Sequence, residues 1–200
     1  MVCCSYRGYW KSRGRPSEEG IARDAQAALK WIKDDIMESG SHLSSNSHNV
    51  VIWGQSIGAG VAARLAAEAS LEQNDLNINT LILETPFLSI RSMLETLYPQ
   101  KWLPYRHLWP FLRNHLDTPK ALGMFNKSRI HATEILILDA EKDELVPKSH
   151  GNELESLCVE LGFEVKRHTV GGALHTEAIV RQGGRIAVVE AIRQSGKAVI

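Results

Sequence analysis

The stretch that decides the fold runs from Val50 to Ala69, VVIWGQSIGAGVAARLAAEA. Its opening residues, Val50-Val51-Ile52-Trp53, form a continuous β-branched and aromatic run, which predicts a buried strand. From Ile57 to Ala69 the chain is rich in Ala, the composition of a helix packed tightly behind that strand. Between them Gly54-Gln55-Ser56-Ile57-Gly58 matches G-x-S-x-G, with a strand before it and a helix after it, the context of a nucleophile elbow. Such a turn is sharp enough that a Cβ at either Gly54 or Gly58 is expected to strike the neighbouring strand or helix. Ser56 is expected to sit in strained backbone with its hydroxyl above the sheet, where the helix N-terminus favours a developing oxyanion. The backbone N–H of Ile57 is the candidate oxyanion donor.

Outward from this stretch, strand and helix signals alternate. Upstream, Val2 to Tyr6 is a short apolar run closed by Arg7-Gly8 and followed by a polar, turn-rich segment, Lys11 to Gly20. Ile21, Ala25, Ala28, Leu29, Ile32 and Ile36 then recur at helical spacing until Gly40. Downstream, Leu81-Ile82-Leu83 and Ile135-Leu136-Ile137-Leu138 are apolar runs of strand length, Val165 to Val170 is a last strand, and Ile186, Val189 and Ile192 mark a final helix. Continuous rather than alternating apolar runs between helices imply an α/β fold, a mostly parallel sheet sandwiched by helices.

Between Pro86 and Ala132 the texture changes. Five of the seven prolines fall there, together with the aromatic residues Phe87, Tyr98, Trp102, Tyr105, Trp109, Phe111 and Phe125. Proline at this density breaks long elements, so residues 86–132 are read as a helical cap inserted into a single domain over 1–200. Lys and Arg total 23, as do Asp and Glu, so the whole-chain charge gives no reason to expect a nucleic-acid partner. That zero is a cancellation: the cap carries +5 and the rest of the chain −5. The 44% apolar composition is that of a globular protein, and no apolar run approaches the roughly 20 residues of a membrane span. Cys3, Cys4 and Cys158 have neither a disulfide framework nor metal-ligand spacing, so reduced thiols and no metal are expected.

A serine at an elbow needs an acid and a base at the ends of later strands, in the order Ser, Asp or Glu, His. After Ile135–Leu138 come Asp139, Glu141, Asp143 and Glu144. Asp143, in the turn before Val146-Pro147, is the choice of acid. Glu84, at the end of the preceding strand, is the reserve. Among the eight histidines, His175 alone occupies a Gly-led loop after the last strand, Gly171-Gly172-Ala173-Leu174-His175. That joint placement makes it the candidate base.

Tyr6-Arg7-Gly8-Tyr9, Pro16-Ser17-Glu18-Glu19-Gly20, Asp24-Ala25-Gln26, Trp53-Gly54-Gln55-Ser56-Ile57-Gly58, Glu84-Thr85-Pro86-Phe87-Leu88-Ser89-Ile90 and Lys142-Asp143-Glu144-Leu145-Val146-Pro147 together resemble the α/β-hydrolase superfamily. Within it they are similar to the fungal bud-emergence-type hydrolases and their animal α/β-hydrolase-domain-containing relatives. The resemblance covers nearly the whole chain. It implies Ser56 as nucleophile, Asp143 as acid and His175 as base, in a cofactor-free serine hydrolase acting on a small-molecule ester or thioester. It also implies membrane association through an anchoring segment upstream of the catalytic domain; the basic, aromatic composition of the cap separately suggests a lipid-like acyl substrate or contact with an anionic membrane surface. The chain departs from the family pattern in three places. Trp10 stands where Gly is usual, Thr176-Glu177 follow His175 where Asn-Asp is common, and the motifs begin at the family's fourth strand. On that order the chain lacks the first three strands and the loop that supplies a second oxyanion donor. It is then expected to leave Val2–Tyr6 without a neighbour and one side of Val50–Trp53 unpaired, and to be poorly active.

Two other classes compete. Gly58-Ala59-Gly60-Val61-Ala62-Ala63 reads as G-x-G-x-x-A, with Glu84 near the ribose-binding distance of roughly 20 residues, the pattern of a dinucleotide-binding module. The other is a catalytically impaired scaffold of the same fold that binds a ligand.

Overall fold

The computed structural model describes residues 1–38, 48–72, 76–98, 100, 111–128 and 132–196. In chain order the elements are α1 (Glu18–Glu38), β1 (His48–Gln55), α2 (Ile57–Leu71), β2 (Leu76–Glu84), α3 (Ile90–Leu97), α4 (Thr118–Ser128), β3 (Glu134–Ala140), α5 (Lys148–Glu160), β4 (Glu164–Val170) and α6 (Gln182–Ser195). The four strands form one parallel sheet in the order β1-β2-β3-β4.

Side-chain alternation along the two central strands divides the core. Leu81, Leu83, Ile135 and Ile137 face Ala59, Ala62, Ala63 and Ala66 of α2, Leu122 and Phe125 of α4 and Leu154 of α5. Ile82, Leu136 and Leu138 face the other way, against Val188 and Ala191 of α6. Both faces of β2 and β3 are covered, which is why these strands are apolar at successive positions. The alanines of α2 carry no bulk and let that helix lie close on the sheet.

Two expectations are met here and two readings are corrected. Val2–Tyr6, expected to lack a neighbour, forms no strand. An extended run becomes a strand only when a neighbour takes its backbone groups, and the Tyr6 carbonyl instead accepts the Tyr9 amide at 3.0 Å in a turn. As expected, β1 pairs only with β2 among the described residues, but the buried strand read from Val50–Trp53 is corrected, since Trp53 is 38% exposed. Gly58 and Gly60 lie inside α2. The dinucleotide reading needs its glycines in a strand-to-helix turn, and here that turn is occupied by Ser56.

The expected cap lies partly outside the described residues, among them Lys101, Trp102, Tyr105, Arg106, Trp109 and Arg129. Its described portion is tied to the main core. Buried Thr118 donates its hydroxyl to the Phe87 carbonyl at 2.9 Å, and Leu122 and Phe125 pack against α2 and the sheet. The upstream motif residues also have a structural task. Arg7 grips Asp24 of α1 through its backbone amide at 2.8 Å and its guanidinium at 2.7 Å, and the Arg7 side chain fills the space a Cβ on Gly20 would need. Among the described residues no helix is long and apolar enough to cross a membrane.

Candidate active site

The carboxyl ends of the parallel strands bring the candidate residues to one edge of the sheet. Ser56 stands between β1 and α2 with φ 53° and ψ −115°, in the left-handed half of backbone space that side chains other than glycine rarely adopt. Its amide is held by the Glu84 carbonyl at 2.8 Å. Gly54 permits the turn: a Cβ there would fall on the carbonyl of Gly58. Gly58 does not meet the expectation made for it, because a Cβ at Gly58 would have nothing within 4 Å. The close approach is one-sided, from the side chain of Gly54's position onto Gly58's backbone. Ile57 opens α2, so its amide has no helical carbonyl to bond.

His175 and Asp143 meet across 32 residues of chain. The His175 Nδ1–H donates to the Asp143 carboxylate, at 2.8 Å from Oδ2 and 3.0 Å from Oδ1, and both side chains are buried. Asp143 is fixed in turn by the amides of Leu145 at 2.9 Å and Val146 at 2.8 Å, which both reach Oδ1. With Nδ1 committed to the carboxylate, Nε2 is left as the acceptor, the tautomer a general base requires. The Ser56 hydroxyl makes no hydrogen bond among the described residues, so the structure couples acid to base and leaves the serine on a separate strand end.

The other carboxylates are accounted for differently. Asp139 pairs with Arg167 at 2.5 Å, and burial pushes its carboxyl up while Arg167 draws it down. Glu141 accepts the Gly172 amide at 2.7 Å. Glu144 lies on the exposed side of the loop, yet its carboxylate accepts the backbone amide of His175 at 3.0 Å. No local pattern separates it from Glu141, so sequence reasoning missed it. Glu84 is 1% exposed and does not touch His175 by hydrogen bond; it accepts from Ile179 N, Trp53 Nε1 and Gln55 Nε2. Its position, an acid closing an apolar strand run, is the one sequence signal that marks it. Beside it Thr85 is a second strained residue at φ 42°, with a buried hydroxyl that has no partner. Among the described residues no group of three or more His, Cys, Asp or Glu is arranged to hold a metal ion.

No protein-family model matches the chain. The protein bem46 of Schizosaccharomyces pombe is 31% identical over 179 residues, covering 90% of this chain and 52% of bem46. The lysophosphatidylserine lipase ABHD12 of Bos taurus is 33% identical over 162 residues, covering 79% of this chain and 37% of that protein. The chain therefore spans about half the length of the first relative and less of the second. In structure it resembles an alpha-beta hydrolase from Vibrio vulnificus, with a TM-score of 0.69 at 22% identity, covering 96% of this chain and 61% of the other. The parallel sheet, the helices on both its faces and these likenesses together give the chain the α/β-hydrolase fold, with bem46 and ABHD12 among its homologues.

Proposed function

We propose that this chain carries the nucleophile, acid and base of a serine hydrolase acting on a carboxylic ester or thioester with a lipid-like acyl group. The observation that carries the reading is the buried Asp143–His175 hydrogen bond, anchored by two backbone amides and lying at the same sheet edge as a strained serine. The name of the bovine relative, a lysophosphatidylserine lipase, supports a fatty-acyl ester as the substrate class.

In this reading Ser56 Oγ attacks the carbonyl carbon as its proton passes to His175 Nε2, and Asp143 holds the imidazolium that forms. The Ile57 amide stabilises the oxyanion. Collapse of the tetrahedral intermediate expels the alcohol or thiol, which takes the proton from Nε2. Water then repeats the sequence on the acyl-serine and releases the carboxylic acid. Every group used belongs to the chain, so the proposal includes no cofactor. The excess positive charge of residues 86–132 supports contact with an anionic membrane surface, tested by co-sedimentation with liposomes with and without anionic lipid.

Hydrolysis of a p-nitrophenyl ester series of increasing acyl length tests the activity. The reading expects turnover in the wild type that favours the longer chains and falls by about three orders of magnitude or more in Ser56→Ala and in His175→Ala. That the Ser56 hydroxyl makes no hydrogen bond among the described residues favours a second reading, a non-hydrolysing scaffold that binds the same ligands. It expects acyl-chain binding with no turnover in any variant.

A further inference from the structure

Glu84 closes β2, and one residue there reaches both halves of the site. Its backbone carbonyl accepts the Ser56 amide at 2.8 Å. Its carboxylate accepts the Ile179 amide at 3.0 Å, four residues beyond His175, in the turn that carries the imidazole. From β1, the Trp53 indole at 3.1 Å and the Gln55 side-chain amide at 3.3 Å hold the same carboxylate. The side chain is 1% exposed, and among the described residues no lysine or arginine pairs with it. Burying a carboxylate on neutral donors alone is costly, and desolvation accordingly pushes this carboxyl above the usual carboxylate range, against the pull of its hydrogen bonds. The titratable group whose charge acts on it is His175.

We propose that Glu84 is a positioning residue of this site: its carboxylate clamps the turn bearing His175 onto the strand end bearing Ser56 and stabilises the imidazolium formed on His175. The inference rests on the serine-hydrolase reading above. In acyl transfer His175 becomes cationic only as it removes the serine proton. A buried carboxylate whose charge acts on the imidazole is poorly screened, so its attraction is strongest in the transition state. The other charged groups around His175 do not supply this. Asp143 is committed to Nδ1, and Glu144 to the main-chain amide from an exposed loop. Glu177 on the same turn bonds the Leu174 amide and is neutralised by Arg181 at 2.7 Å.

The test separates charge from clamp with two variants of the whole chain. Glu84→Gln keeps an oxygen for the Ile179 amide and removes the charge. Glu84→Leu removes both. The readouts are the rate of Ser56 labelling by a fluorophosphonate from about pH 5 to 9 and amide hydrogen exchange at Ile179. For Glu84→Gln we expect labelling at neutral pH to fall about tenfold, with the acid limb of the rate profile displaced about half a unit to lower pH. Its thermal midpoint should stay within about 3 °C of wild type. For Glu84→Leu, exchange at Ile179 should quicken by about tenfold or more. A wild-type rate and profile in Glu84→Gln overturns the proposal. So does a slower rate whose acid limb is unmoved and whose thermal midpoint drops in step, since that is a purely structural role. If wild-type Ser56 does not react at all, the hydrolase reading has failed, and Ile179 exchange decides the clamp by itself: faster in Glu84→Leu supports it, unchanged overturns it.

Discussion

At the scale of single residues, the site depends on which groups are buried and what they touch. Asp143 offers the cleanest substitution. Asn at this position keeps an oxygen for the Leu145 and Val146 amides but presents no anion to His175 Nδ1. Asp143→Asn is therefore expected to leave the thermal midpoint nearly unchanged while reducing ester turnover by about 10⁴-fold, as measured by initial rates beside a melting curve. The cysteines divide by the same logic. Cys158 is buried on α5, and burial pushes its thiol up to about 12, whereas Cys3 and Cys4 are exposed. Since the thiolate is the nucleophile, iodoacetamide on the native protein should modify Cys3 and Cys4 and spare Cys158, with all three reacting after denaturation, read by peptide mass. The candidate residues are legible in the sequence because each closes a strand or follows one. Glu144's bond to the His175 amide is not, because that contact is made by tertiary structure between two loops.

At the scale of elements, the elbow distinguishes two glycines that look equivalent in a motif. Gly54→Ala puts a Cβ onto the Gly58 carbonyl, a backbone atom that cannot move without shifting α2. It should destabilise by more than about 3 kcal/mol or prevent folding, since backbone cannot yield as a side chain can. Gly58→Ala meets open space inside a helix and should be neutral or stabilising by up to about 1 kcal/mol. Denaturant melts of the two variants check both signs. Trp10 extends the argument to a turn. It holds φ 46° while 87% exposed, a left-handed conformation that suits the glycine usual at this place. Trp10→Gly should raise stability by about 0.5–1 kcal/mol. Local pattern was enough for α1, β2 and β3, whose apolar periodicity is complete within each segment. It overstated the burial of β1, whose unpaired side, like the missing neighbour of Val2–Tyr6, is legible only in the order of the motifs, because strand pairing and sheet edges depend on partners far away in the chain.

At the scale of the whole molecule, one parallel sheet positions everything: four strands ending at one edge bring Ser56, Glu84, Asp143 and His175 together from segments up to 119 residues apart in numbering, Ser56 to His175. Global stability carries its own titration. His150 is 4% exposed, its Nδ1 has no partner, and burial holds the imidazole below its ordinary range against the opposing pull of Glu153. The unfolded chain takes up that proton near about pH 6.5, so the neutral folded form loses stability as pH falls from there through the lowered folded value. Glu84 and Asp139, with carboxyls pushed up, titrate with the opposite sign. The clean quantity is thus a difference: His150→Leu should lose less stability than wild type between neutral and mildly acid pH, followed by denaturant midpoints. The central claim is that Ser56 is a nucleophile activated at this edge, and covalent capture tests it most directly. Incubation with a fluorophosphonate should add one phosphonyl group per chain, map to the peptide containing Ser56, and disappear in Ser56→Ala. A folded wild-type chain that takes up no label, or label that persists on Ser56→Ala, would contradict the account.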